Sequence, residues 1–431
     1  MTLQSKAFHE LANRFLDHTY KGVPLGATVR VSDVGNQGWN VANGDTALPV
    51  TTLRRRALDN NLRTMADYCS RSGALFAPHG KTTMSPQLFA KQLEAGAWGM
   101  TAATPSQVAT MRTFGVPRII MANELSDIAT INWIVNEMCN DPEFDFFSLI
   151  DSVAAITMID AAIAATGAEV TFKVLLEVGL PGGRAGIRTT EDALAVAEAV
   201  HGSSHLLLGG VETYEGLVTS GGACEDIAAV DAHFDRVRHV VELLMEHKLF
   251  GTETIIVTAG GSSYFDRVVA KLSDWSGSKT PTRLVLRSGC YLSHDVGKYH
   301  SLSPLDGRRA ADEQLRLENA LEAWGSVISR PEPGIAIVGS GKRDVPYDVN
   351  LPTVLRVHHR DRTVSHLGPD TQVYKVMDQH AFIRLAPDQK LDVGDVMVFG
   401  LSHPCTAFDK SRFVPIIDDD FNIVDAVLTF F

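Results

Sequence analysis

The chain has 431 residues, 45% hydrophobic and 21% charged, the proportions of a soluble globular protein with an ample core. Its net charge of −12 offers no basic face to nucleic acid or an acidic membrane. Cys69, Cys139, Cys224, Cys290 and Cys405 are scattered, odd in number and free of CxxC pairs, which excludes a disulfide framework and a zinc finger. With no apolar signal core near the start and no 18-residue apolar run, a reducing, cytoplasmic setting is expected.

Residues 1–48 read as a polar helix and a mixed stretch, expected to pack on a C-terminal β domain. From about 50 to 300, short apolar runs alternate with helical patterns. The predicted strands are ALFAP (74–78), GMTAA (99–103), RIIMAN (118–123), FFSLID (146–151), TFKVLLEVG (171–179), LLLGGVETY (206–214), ETIIVTAG (253–260) and RLVLRSG (283–289). Near-continuous apolar runs of this kind suit parallel strands buried on both faces. Between them lie helical patterns. SPQLFAKQLEAG, for example, has Ser85 as an N-cap, Pro86 at the first helical position and Gly96 at its end. Eight strands alternating with helices predict a (β/α)8 barrel over 49–300, with a doubly wound open sheet as the alternative. After 300, prolines and glycines punctuate short alternating runs (AWGSVISR, GIAIVGS, YKVMDQHAFIRL, DVMVFGLSH, FVPIID), which predict a β domain over 301–431.

Barrel enzymes carry their chemistry at the C-terminal ends of the strands. There the chain puts His79, Gly80 and Lys81 after the first run, Asn123 and Glu124 after the third, and Asp151 after the fourth. Arg184 lies in the loop after the fifth, and Glu212 and Tyr214 end the sixth. Gly260, Gly261, Ser262 and Ser263 follow the seventh; Ser288, Gly289 and Tyr291 follow the eighth. Lys81 is placed to form a Schiff base. The Gly/Ser turn can open a helix and offer N–H groups to a phosphate, in the loops where barrels commonly bind one. A lysine facing such a site suggests a phosphorylated carbonyl compound, either pyridoxal phosphate or a sugar phosphate. Separately, GLSHPCTAFDK (400–410) sets His403 two residues before Cys405. On a β-strand both would face one side and could share an ion. Imidazole and thiolate suit zinc, with positions left for water or substrate. Asp409 is a candidate extra ligand or a group that supports a ligand.

APHGKTTMSP (77–86) resembles the lysine motif of the alanine-racemase-like, fold type III pyridoxal-phosphate enzymes. GLSHPCTAFDKSRFVPIIDDD (400–420), LRSGCYLSHDVGKY (286–299) and VGSGKRDVPYD (338–348) resemble the branch holding D-serine dehydratase, D-threonine aldolase and the D-3-hydroxyaspartate enzymes. The likeness runs from about 77 to 420. It implies that Lys81 binds the cofactor with His79 beside it, and that Arg184 contacts the cofactor's phenolic oxygen. Tyr214 would sit near the pyridine nitrogen. Gly260, Gly261, Ser262, Ser263, Gly289 and Tyr291 would hold the phosphate, and His403 and Cys405 would bind zinc. Ala77 and Thr83 stand where the common form is basic, which suggests a bacterial amino-acid deaminase subgroup. The resemblance further implies a homodimer and β-elimination of a β-hydroxy D-amino acid, D-serine first, to a 2-oxo acid and ammonia. Retro-aldol cleavage is the rival. Racemisation would want a second base, with Tyr347 and Tyr374 as candidates, and a non-catalytic pyridoxal-phosphate carrier would lack the β domain and the metal motif.

Overall fold

The computed structural model describes the chain except residues 1–5, 219–223, 309–313 and 387–388. Two compact units emerge. One comprises residues 66–81 and 96–289; the other comprises 1–65, 82–95 and 290–431.

The first unit is the barrel. Its strands are β1 (Leu75–Phe76), β2 (Met100–Ala102), β3 (Arg118–Glu124), β4 (Asp145–Ile150), β5 (Phe172–Glu177), β6 (Leu206–Glu212), β7 (Ile255–Ala259) and β8 (Thr282–Leu286). Each overlaps its predicted run, with ends agreeing to within two residues except in β8, which stops three residues before the predicted Gly289. All pair in parallel, in the order β1-β8-β7-β6-β5-β4-β3-β2. The ends of that ladder meet. Ala77 N–H donates to Leu286 O (2.8 Å) on one side of β1; on the other, Trp98 N–H donates to Phe76 O (2.7 Å) and Thr101 N–H to Pro78 O (2.9 Å). Closure leaves no open sheet edge for another chain to pair with. Side chains two apart along a strand point the same way. Phe147 and Leu149 of β4 therefore fill the interior together with Ala77, Ile120, Leu175, Ile256 and Val285.

Local chemistry sets the helix starts. Thr104 accepts from Gln107 N–H, Asp127 from Ala129 and Thr130, and Thr189 forms a capping box with Asp192. Pro86 does open its helix, but the Ser85 hydroxyl does not cap it.

The second unit holds an antiparallel sheet around the strand Leu321–Glu332, which pairs with Val396–Gly400 on one side and Val50–Arg54 on the other. Val50–Arg54 thus lies in this sheet, outside the barrel ladder. Trp324, fully buried, donates through its indole N–H to Thr52 Oγ1 (3.0 Å). The strand Thr353–His358 brings Arg356 inside, where it forms two hydrogen bonds to Glu322 (2.8 and 2.6 Å) and stacks over Trp324. Among the described residues, no helix is long and apolar enough to cross a membrane.

Candidate active site

In the barrel, the chemistry-bearing residues gather at the C-terminal strand ends. His79 pairs with Thr101, and its N–H donates to Arg287 O (3.0 Å), so β1 delivers its ring and the following Lys81 to the barrel mouth. The Nδ1 of His79 is buried and has no hydrogen-bond partner. Burial first, then the charges of Lys81 and Arg287, hold its pKa well below the ordinary 6.5, so the imidazole is neutral.

Glu124, Glu177 and Glu212 converge from the ends of β3, β5 and β6. The sequence shows them at strand ends without revealing that they meet. Glu177 is 4% exposed. Burial, the charge of Glu212 and a hydrogen bond with Glu124 push its pKa up to about 9. Glu212 is also raised, by burial foremost, although it pairs with Arg287. Arg287 additionally donates to Thr258 Oγ1 (3.0 Å) and Thr213 O (3.1 Å).

These carboxyls make stability depend on pH. Between 4.5 and about 9 an unfolded Glu177 has lost its proton while the folded one keeps it, so stability falls as pH rises through that window. Glu177→Gln mimics the protonated form and can still donate to Glu124. It is expected to melt higher than the parent at pH 8 and no higher at pH 4. Equal melting points at both would contradict the buried neutral carboxyl.

Arg184 is exposed, with its guanidinium 5.1 Å from the Tyr214 ring. Arg188 holds the loop that presents it, donating to Ala185 O (2.8 Å), Gly186 O (2.6 Å) and Arg184 O (2.8 Å). The turn expected to hold a phosphate spends two of its amides locally. Gly260 has φ +104°, a conformation that favours glycine. Its N–H and that of Gly261 donate to the buried Glu215 carboxyl (3.3 and 2.6 Å), so those amides are already engaged. Burial raises the pKa of Glu215 despite these donors. Ser262 and Ser263 are buried just before the helix Phe265–Leu272, and Ser288 Oγ donates to Gly261 O (2.9 Å) beside the buried Gly289.

A cavity of about 740 Å³ opens at the other end of the barrel, lined by Leu75, Trp98, Phe147, Lys173 and Ile256. Barrel chemistry belongs at the C-terminal strand ends, so the polar cluster outranks this cavity as the candidate site.

The second unit carries the remaining candidates. His403 and Cys405 are neighbours, but not as residues of one strand. The strand ends at Gly400, His403 has φ +64°, and Cys405 opens the short helix Cys405–Phe408. His403 Nδ1 contacts Asp348, whose other oxygen accepts from Thr406 Oγ1 (2.9 Å). Its pKa rises to about 9 through its hydrogen bond to Cys405, against burial, with Asp348 adding to the rise. Cys405 is held well below an ordinary thiol by hydrogen bonds from Cys290, His403 and Thr82, against burial. Asp409 is exposed and faces Lys410 (3.4 Å), whereas Asp348 is the carboxylate in contact with His403. Tyr291 is buried, and its hydroxyl accepts from Gln92 Nε2 (3.1 Å). Tyr347 and Tyr374 are exposed, beside Lys342 and Arg384 respectively. A further group, His294, His300 and Asp306, shares one carboxylate oxygen between two imidazoles (2.7 and 2.8 Å).

Comparison with known proteins bears on this arrangement. Residues 320–417 match the family described as "Putative serine dehydratase domain". The structure is similar to D-threo-3-hydroxyaspartate dehydratase from Delftia sp. HT23 (TM-score 0.70, 19% identity, 89% of this chain and 97% of that one). It is also similar to an alanine-racemase-like protein from Idiomarina loihiensis (TM-score 0.71, 16% identity, 90% and 98%). The chain has the alanine-racemase-like fold. In sequence it is 26% identical over 339 residues to 3-hydroxy-D-aspartate aldolase of Paracoccus denitrificans (78% of this chain, 79% of the relative). It is 22% identical over 372 residues to D-threonine aldolase of an Arthrobacter species (86% and 89%). A cysteine-to-alanine variant of a D-threo-3-hydroxyaspartate dehydratase, described as metal-free, matches with TM-score 0.70 and 20% identity, over 89% of this chain and 97% of that one.

Proposed function

We propose that the protein is a pyridoxal-phosphate- and metal-dependent lyase that converts D-serine, or a related β-hydroxy D-amino acid, to a 2-oxo acid and ammonia. The observation that carries this reading is the Cys405–His403–Asp348 set. A low-pKa thiolate lies beside an imidazole whose Nδ1 is oriented by a carboxylate, the usual support for a metal-binding histidine. The partnerless buried Nδ1 of His79, next to Lys81, fits a bound aromatic cofactor. Chain connectivity links the two: Lys81 is followed directly by Thr82, whose Oγ1 is 3.4 Å from Cys405 Sγ.

In this reading Lys81 would hold the cofactor, and its Nζ would take the Cα proton of the substrate. His79 stays neutral and packs without competing for that proton. Arg184 and Tyr214 orient the ring, and Ser262, Ser263, Gly289 and Tyr291 contribute to the phosphate site. Gly260 and Gly261 could join it only if Glu215 released their amides. Pyridoxal phosphate supplies an electron sink for the carbanion at Cα. His403 Nε2 and Cys405 Sγ would hold a divalent ion, zinc by donor type, which would supply Lewis-acid stabilisation at the substrate hydroxyl. Asp348 fixes the His403 ring so that Nε2 faces the ion. The active form is a homodimer, which sedimentation would check.

Retro-aldol cleavage to glycine and an aldehyde is the second reading, favoured by the two aldolases among the relatives. Incubating the loaded protein with D-serine, D-threonine and threo-3-hydroxy-D-aspartate, with and without EDTA, separates the two. Keto acid and ammonia, lost on chelation and restored by zinc, are expected. Glycine plus aldehyde, with no keto acid, would reassign it as an aldolase.

Asp348→Asn should weaken metal affinity by roughly 10- to 100-fold, read by chelator competition, with activity returning at excess metal. Unchanged competition would remove Asp348 from the site.

A further inference from the structure

We infer that His294, His300 and Asp306 form a second metal site, a centre of two histidines and one carboxylate for a divalent transition metal, with its remaining positions open to water. It shares no residue with the site proposed at His403 and Cys405 and stands without it. His294 Nε2, His300 Nδ1 and an Asp306 carboxylate oxygen all lie within 4.8 Å of one another, the one such group among the described residues. The two nitrogens stand 2.7 and 2.8 Å from the same oxygen, Oδ2. Ligand bonds of about 2.1 Å place neighbouring donors about 3.0 Å apart in an octahedral site and about 3.4 Å apart in a tetrahedral one. The observed spacing therefore needs to open by only a few tenths of an ångström to take an ion in octahedral geometry. Imidazole nitrogen suits iron, nickel or zinc, and one carboxylate in the set extends the range to manganese. Calcium and magnesium, which take oxygen donors, are disfavoured.

The local backbone is built to bring these three donors together. His294 is 1% exposed and has φ +50°, a left-handed conformation uncommon for a side-chain-bearing residue. Its N–H donates to Cys290 O (2.8 Å). The neighbouring Asp295 carboxylate, also buried, accepts through Oδ1 from the N–H groups of Gly297, Tyr299 and His300 (3.0, 2.9 and 3.0 Å), which fixes the helical turn Lys298–Leu302 that carries His300. Gly307 N–H donates to His300 O (2.8 Å), and a Cβ at Gly307 would stand 2.5 Å from that oxygen, so only glycine lets the chain bring Asp306 this close to His300. Against burial, the hydrogen bonds from His294 and His300 hold the Asp306 carboxyl below the ordinary carboxylate range, so it is ionised as a ligand must be. The His300 side chain is 57% exposed, which leaves the open positions on the solvent side. Asp295 Oδ2 also accepts from His403 N–H (3.2 Å). An ion here would therefore clamp the segment that meets the left-handed turn at His403.

Zinc uptake by the chelator-stripped full chain, counted by equilibrium dialysis, tests this without reading activity. His403→Ala/Cys405→Ala removes the other proposed site and should still bind one zinc per chain, with nitrogen and oxygen but no sulfur around it in X-ray absorption. Adding His300→Ala, at an exposed position, or the isosteric Asp306→Asn should weaken that zinc by roughly 100-fold or more, since even residues that only support a ligand are worth about 10- to 100-fold. Circular dichroism of the metal-free forms confirms that each variant is folded. No zinc on folded His403→Ala/Cys405→Ala, or a zinc whose affinity neither added change moves, would overturn the inference. Loss of one zinc in His300→Ala made alone, with none lost in His403→Ala/Cys405→Ala, would support it and remove the His403–Cys405 site instead.

Discussion

Lys81→Ala should abolish the visible absorbance of lysine-bound pyridoxal phosphate and lower turnover by about 10²- to 10⁴-fold, the usual worth of a positioned proton-transfer group. Losing the covalent anchor adds to this. No neighbour can substitute. His79, two residues before Lys81, is a poor base, because burial together with the charges of Lys81 and Arg287 holds its pKa well below the ordinary value. Arg287 is committed to Glu212, Thr258 and Thr213. Lys81→Arg, which keeps the charge, should be as inactive as the alanine variant, whereas a small primary amine added to Lys81→Ala should restore part of the rate. A lysine-type absorbance surviving in Lys81→Ala would place the cofactor on another residue.

How much of this was legible beforehand follows from which interactions are local. The barrel strands are buried on both faces, so their apolar runs stand out from the polar loops between them. Thr353–His358 does not stand out, because its inward-facing Arg356 looks like a surface residue until Glu322, more than thirty positions earlier, is found opposite it. Lys81, His403 and Cys405 were visible as motifs. The spacing of His403 and Cys405 was informative, yet the geometry inferred from it was not what the chain adopts: a left-handed turn, not a strand, brings the pair together. Asp348 and Cys290 lie 55 and 115 residues from the side chains they contact; both fall inside motifs that carry the resemblance, but nothing local shows that they meet His403 and Cys405. Glu215 shows the same difficulty in another form. A Gly-Gly-Ser-Ser turn announces backbone donors, but not that a carboxyl from the end of β6 already occupies two of them.

Cys405→Ala and His403→Ala should each lose bound metal after chelation and lower turnover by about 10²- to 10³-fold, the equivalent of several kcal/mol of Lewis-acid stabilisation. The two differ in what they leave behind. In Cys405→Ala the Cys290 thiol and Thr82 hydroxyl lose their shared partner, whereas His403→Ala frees Asp348 and Thr406 near the surface. Cys405→Ala should therefore bind metal less tightly than His403→Ala. Cys405→Asp is the sharper test, because it keeps a charged ligand but replaces soft sulfur with hard oxygen. It should shift metal preference from zinc towards manganese. The ratio of glycine and aldehyde to keto acid among its products then reports whether the metal ligand sets which bond breaks. A Cys405→Asp enzyme that still preferred zinc and still released only keto acid would show that the choice of broken bond is made in the barrel, by the groups around Lys81, and not at the metal.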